Sequence, residues 1–276
     1  MDRETLLQVQ PILLEIAKEI KRVCEENDIP YFLYRGTFLG AVRHQGFIPW
    51  DDDMDFAMLR RDYEKFRRIA PEKMDPRFCF QDWHTDEDYA HPFGKVRKRG
   101  TRYVEAKCRP LAENGFYVDI YPLDYAPQAE ADRKKLARQQ LHLYRVKLMK
   151  SRYTTWMEGD KVILKKRIGY LLYQFISLFV SQKKLIETYE RISQQPESDI
   201  LYEQSALPRS YFFQKKWYAS SRMYPFEDTE FPGPEDGDEC LSCLYGNYME
   251  LPPEDQRDNR HQIIEMDFGR VSEKGT

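Results

Sequence analysis

No stretch of this 276-residue chain is apolar enough to cross a bilayer. The longest apolar-rich run, Ile168 to Val180, is interrupted by Gly169, Gln174 and Ser177 and is too short to span. The N-terminus begins with charged Asp2, Arg3 and Glu4, so no secretory signal is expected there. Cysteine is scarce. The five residues, Cys24, Cys79, Cys108, Cys240 and Cys243, are odd in number and scattered, which points to reduced thiols in a cytosol. Cys240 and Cys243 form a C-x-x-C with no second pair to complete a zinc site, and read as ordinary thiols near a loop. An excess of one charge is also missing. With 43 Lys and Arg against 46 Asp and Glu, the net charge of -3 excludes a globally basic nucleic-acid binder.

Aromatic residues, by contrast, are plentiful. The 19 Tyr and 16 Phe exclude a disordered chain, and 41% hydrophobic content suffices for one sizeable core, with or without a helical annex. Residues 5–27 carry Leu6, Leu7, Ile12, Leu13, Ile16, Ile20 and Val23 at helical spacing. A short strand is expected at Tyr31–Leu33, a helical stretch at Thr37–Val42, a strand from Asp51 through Leu59 and a helix at Arg61–Ile69. Residues 77–121 read as β-rich. Residues 129–195, nearly free of Gly and Pro, read as several helices, and the chain from Pro208 onward as loop-rich. These patterns give an α+β chain in three parts: a core over 1–125, a helical insert over 126–207 and a C-terminal, loop-rich segment over 208–276 that packs on the core.

The most informative stretch is Ile48 to Met58, which holds Asp51, Asp52, Asp53 and Asp55. Strand alternation would put Asp51, Asp53 and Asp55 on one face and Asp52, Met54 and Phe56 on the other. Two carboxylates about 6 Å apart repel by roughly 3 kcal/mol at an effective dielectric near 20. Such a strand end is therefore either fully solvated, as in an acidic turn, or occupied by a hard divalent ion such as Mg²⁺ or Mn²⁺. Apolar residues flank the cluster on both sides, and the D-x-D spacing suits shared coordination of one or two ions.

Upstream, Gly36 and Thr37 open a turn where backbone N–H groups at a helix start would face an anion. Downstream, Asp119 sits inside the apolar run Phe116 to Tyr121, where a carboxylate is paired, a ligand or a base. A neighbouring strand placing Asp119 beside Asp53 and Asp55 would give three carboxylates for phosphoryl transfer, one of them also able to accept a proton. Asp124 is either a further site carboxylate or the cap of the following turn. Lys95 and Arg97, on one face of a strand, are either phosphate partners or a solvated basic edge. The basic-flanked, apolar run Lys161–Lys184 fits a core helix of the insert, the preferred reading, or a helix in a membrane interface.

Taken together, G-T-F-L-G-A-V-R-H-Q-G-F-I-P-W-D-D-D-M-D (Gly36 to Asp55) closely resembles the LicD family, which includes bacterial phosphocholine transferases and is related to fukutin-type ribitol-phosphate transferases. The resemblance continues through Gly94-Lys95-Val96-Arg97, Tyr117 to Asp124, Leu244 to Met249, Leu251-Pro252-Pro253 and His261, leaving aside residues 126–215. It implies a nucleotidyltransferase-like core with a mixed sheet flanked by helices, Mg²⁺ or Mn²⁺, a CDP-choline-like donor and a glycan acceptor. Such an acceptor, a teichoic acid or lipopolysaccharide, can be lipid-linked, which would place the enzyme in the cytoplasm at the inner face of the membrane. By matching position, Asp53, Asp55 and Asp119 become metal ligands and catalytic residues, helped by Asp51. Gly36 and Thr37, with Arg43, Lys95 and Arg97, map to the donor phosphate, and His44, Asp124 and His261 are further candidates. Arg35 departs from the pattern, since a Gly often precedes the Gly-Thr pair. Two rival readings remain: a nucleotide-sugar glycosyltransferase with its own D-x-D site, and a non-catalytic relative that binds glycan or membrane.

Overall fold

A computed structural model describes residues 1–107, 111–153, 164–203, 211–257 and 261–269. Helix α1 (Arg3–Glu26) starts where the Asp2 carboxylate accepts a hydrogen bond from the Thr5 N–H at 2.8 Å, an N-cap. Its periodic stripe buries Val9, Leu13, Ile16, Ile20 and Val23 against the sheet. Each such side chain contributes about 1.5–3 kcal/mol relative to exposure.

The chain continues through β1 (Phe32–Leu33), α2 (Arg35–His44), β2 (Asp55–Leu59), α3 (Arg60–Lys73), β3 (Phe78–Gln81), β4 (Gly94–Lys98), β5 (Arg102–Glu105) and β6 (Tyr117–Tyr125). Next come α4 (Glu130–Lys150), α5 (Leu164–Phe179), α6 (Gln182–Ser193), β7 (Ile200–Glu203) and β8 (Tyr211–Gln214). The chain then forms β9 (Ser221–Phe226), β10 (Thr229–Pro234), α7 (Gly237–Tyr245) and β11 (Ile263–Asp267). The main sheet runs β1-β2-β6-β4-β3 and is mixed: β2 and β6 are parallel, the other pairs antiparallel. The class is therefore α+β, as the sequence pattern suggests. Strand β6 is buried along nearly its whole length, which explains its apolar character on both faces outside Asp119 and Asp124. Its last two residues, Asp124 and Tyr125, pair with β7, so β7 and β8 extend the same sheet.

The structure departs from the sequence reading at four places. Strand β2 begins at Asp55, not Asp51, so strict strand alternation does not govern Asp51 to Met54. Beyond Pro208 the described residues hold strands and a helix rather than mainly loops, with β9 and β10 in a hairpin. Cys240, buried, and Cys243, exposed, lie on α7 instead of near a loop, while Cys108 falls outside the described residues. Finally, α5 is not a core helix. It leans on α4 through Ser177 and Tyr173 and turns Leu171, Leu172, Phe175, Leu178 and Phe179 outward. Residues 161–163 and 204–210 lie outside the described residues. Among the described residues, no helix is long and apolar enough to cross a membrane.

Candidate active site

The register of three neighbouring strands builds the floor of the site. Asp55 on β2 lies beside Asp119 on β6, and Asp119 lies opposite Lys95 on β4. Strands sit about 4.8 Å apart, so two carboxylates and an ammonium form one row on one face of the sheet. Lys95, only 3% exposed, places its Nζ 2.9 Å from Asp119 Oδ1 and 3.7 Å from Glu105. The same ammonium stands over the Tyr117 ring, 3.2 Å from its centroid.

Above this floor opens a cleft of about 1040 Å³ lined by Asp51, Asp53, Asp55, Asp119, Lys95, Gly36, Arg35, Arg43 and His261. It is large enough for a nucleotide-sized ligand. One carboxylate oxygen from each of Asp51, Asp52 and Asp53 lies within 4.8 Å of the other two. Asp52 therefore does not turn away from Asp51 and Asp53 as alternation implied. It also packs inward, with Oδ1 3.0 Å from His261 Nδ1 and the Tyr103 hydroxyl donating to its carbonyl at 3.2 Å. His261 approaches Asp53 as well, at 3.9 Å.

Electrostatics mark this as a site short of positive charge. Burial, and then the Asp53 charge, push the Asp55 carboxyl well above its usual range, against the pull of Arg35. Burial and the adjacent Asp53 do the same to Asp51. Burial raises Asp119 even though Lys95 pulls it down. Burial alone would lower His261, but the Asp52 hydrogen bond and the Asp53 charge hold it protonated, raised to about 10. Burial opposes ionisation of Glu105, yet Lys95 and His261 bring it down to about 2. Asp55 Oδ1 is buried with no hydrogen-bond partner among the described residues. An all-oxygen set with an orphaned carboxylate oxygen and too little positive charge suits a hard divalent cation.

Gly36 and Thr37, read in the sequence as a turn before a helix, lie within the first turn of α2 and face different ways. Gly36 lines the cleft at the start of α2, and a Cβ there would stand 3.1 Å from Asp51 Oδ2. Thr37 instead faces the strand: its Oγ1 accepts from the Asp55 N–H at 2.8 Å, pinning β2 to α2. Arg43 reaches the rim and donates to the Tyr248 carbonyl at 2.8 Å. Arg35 has φ 47°, the left-handed region where glycine is unstrained, which accounts for Gly being common at this point of the motif. Its guanidinium is held by buried Glu203 on β7 and lies 4.4 Å from the Tyr121 ring centroid.

Three candidates are occupied elsewhere. Arg97 donates to Gln81 at 2.5 Å and to the Gly115 carbonyl at 2.8 Å, outside the cleft lining. Asp124 receives a two-pronged hydrogen bond from Arg60 at 2.7 and 2.8 Å, tying α3 to β6 and capping no turn. His44 packs edge-on against Trp50 and accepts from Arg43. Glu105 and Glu203 belong to the site's electrostatics and were not singled out in the sequence. Each is a lone acid in an unremarkable context, brought in only by β5 and β7.

Residues 28–152 match the family described as LicD/FKTN/FKRP, nucleotidyltransferase domain. The chain is 28% identical to the lipopolysaccharide cholinephosphotransferase LicD of Haemophilus influenzae over 95% of its own length and 97% of that protein's. A stretch of 60 residues, 22% of the chain, is 42% identical to 19% of an uncharacterised protein of Rickettsia typhi. A 60-residue match to a Rickettsia prowazekii protein is 40% identical and covers 23% of that protein.

Proposed function

From the match of residues 28–152 to the LicD/FKTN/FKRP family, we propose a metal-dependent transferase with a nucleotidyltransferase-like core. It moves a phospho-alcohol, phosphocholine first among the candidates, from a CDP-linked donor to a sugar hydroxyl of a surface glycan, releasing CMP. The Haemophilus relative, a lipopolysaccharide cholinephosphotransferase, supports the choice of group and acceptor. The observation that carries the reading is the row Asp55–Asp119–Lys95 under a cleft also lined by Asp51 and Asp53.

Asp51, Asp53, Asp55 and Asp119 would hold Mg²⁺ or Mn²⁺. When bound, the ion neutralises the donor's pyrophosphate and polarises the phosphorus under attack. Gly36 lets the backbone approach the donor phosphates at the positive end of α2. Asp119, raised by burial and with Lys95 at 2.9 Å, accepts the proton of the attacking sugar hydroxyl. His261 and Asp52 fix the loop that carries Asp51 and Asp53. Of the aromatic residues lining the cleft, Tyr245, 40% exposed, is the one placed to meet a quaternary ammonium head group.

A screen of CDP-choline, CDP-ethanolamine, CDP-glycerol and CDP-ribitol for Mg²⁺-dependent CMP release tests this. Turnover of UDP- or GDP-sugars in place of all four would transfer the chain to the glycosyltransferases.

A further inference from the structure

Helix α5 carries the most concentrated exposed apolar face among the described residues. Ile168, Leu171, Leu172, Phe175, Leu178 and Phe179 are each 58–74% exposed. At 100° per residue they fall within an arc of roughly 120°, the stripe that a surface helix normally buries. The opposite side of the helix is already used. Ser177 is buried, its carbonyl accepts from Lys150 on α4 at 3.0 Å, and Tyr173 meets His142 on α4. The apolar arc thus points away from the protein by construction. Elsewhere, Leu7, Met223 and Ile264 are exposed singly on separate elements, and Tyr245, Met249 and Leu251 form a smaller, less exposed group.

The charges on this helix and at its two ends have one sign. The helix contains no Asp or Glu and opens with Lys165-Lys166-Arg167, and Lys183-Lys184 follow its end. Arg167, Lys183 and Lys184 are exposed. An apolar arc with basic residues at both ends matches an anionic lipid surface, where the arc enters the acyl boundary and the cations meet headgroup phosphates. A second copy of the chain would oppose this face with an identical one, adding cations and no acid from the helix.

We propose that α5 docks the protein on anionic bilayers, with its apolar arc in the interface and its basic ends on the headgroups. This extends the transfer reading, because a lipid-linked glycan acceptor lies at such a surface, though the docking itself rests on α5 alone.

Flotation of the full chain with vesicles of phosphatidylcholine, and of phosphatidylcholine with an equal part of phosphatidylglycerol, tests it. Wild type is expected to float with the anionic vesicles and to be released by salt. Leu171→Glu combined with Phe175→Glu should lower the bound fraction at least tenfold without lowering the melting temperature. Arg167→Gln should lower it about fivefold, on the scale of one basic residue at a charged membrane. Wild type remaining unbound, or the double variant floating equally well, overturns the proposal. So does a wild-type dimer that the double variant converts to a monomer, which would assign the face to a second copy. CMP release with a soluble sugar acceptor keeps the two readings apart. Docking lost with release intact supports the α5 assignment, and release absent with docking intact strikes only the catalytic reading.

Discussion

Replacing Asp55 by Asn should make the metal-free protein more stable, the reverse of most buried substitutions. Asp55 and Asp119 are register partners on adjacent parallel strands. At about 5 Å and an effective dielectric near 20, two such charges repel by roughly 3 kcal/mol. Arg35 and Lys95 offset part of this, and the new amide in a tight site costs about 1 kcal/mol in imperfect hydrogen bonding. A net gain of about 1–2 kcal/mol remains, a rise of roughly 2–8 °C in melting temperature for a chain of this size. Adding a divalent cation at a hundred times its dissociation constant should stabilise wild type by about 2.7 kcal/mol and the variant far less. The order of the two melting temperatures should therefore invert between chelator and Mg²⁺ or Mn²⁺. Differential scanning calorimetry of both proteins in both buffers reads this directly. A variant less stable than wild type in chelator, with equal metal-induced shifts in the two proteins, would refute the reasoning.

Other outcomes follow from the same geometry. Thr37→Val leaves the buried Asp55 N–H unsatisfied and should cost about 1–3 kcal/mol by denaturant unfolding, with Thr37→Ser near wild type. Arg35→Gly relieves about 1–2 kcal/mol of left-handed strain but strands buried Glu203, whose lost pairing costs about 3–5 kcal/mol. A net loss of about 2–3 kcal/mol is expected, largely recovered when Glu203→Gln is added in a double-mutant cycle. The carboxyls of Asp51, Asp55 and Asp119 are raised above 3.8, so the folded state holds protons that the unfolded state has released. Metal-free stability from these groups should fall as pH rises above about 4, and a saturating divalent ion should flatten that slope. His261 acts at the other end: its contribution is complete below 6.5 and is lost as pH climbs through about 10, a loss that His261→Gln should abolish in pH-dependent melts.

The parts of the site that were readable in sequence are those made by short-range pattern. The Gly-Thr turn and the run of aspartates lie close together, and each residue type has a local reason to be there. The Asp55–Asp119 partnership was legible only as a geometric expectation, because strand order is set by packing far along the chain. Hairpin β9–β10 was hidden for a specific reason. Pro225, Pro232 and Pro234 argue against strands, and its two-residue turn, Glu227-Asp228, lacks the usual glycine and instead places Glu227 at φ 55°. Strand β7, four residues long, carries no alternation to detect, yet it delivers Glu203 to Arg35. Helix α5 was misread because an apolar stripe looks the same in sequence whether it faces a core or faces outward.

In the proposed reaction, acidic residues from two neighbouring strands and the loop before one of them act through a divalent ion on a CDP-linked donor. CMP release from CDP-choline, coupled to phosphocholine appearing on a glycan acceptor, measures that claim in wild type and in Asp119→Asn, with Mg²⁺ and with chelator. Strict Mg²⁺ dependence in wild type and a loss on the order of a hundredfold or more in the variant are expected. Undiminished release in chelator, or in Asp119→Asn, would contradict it.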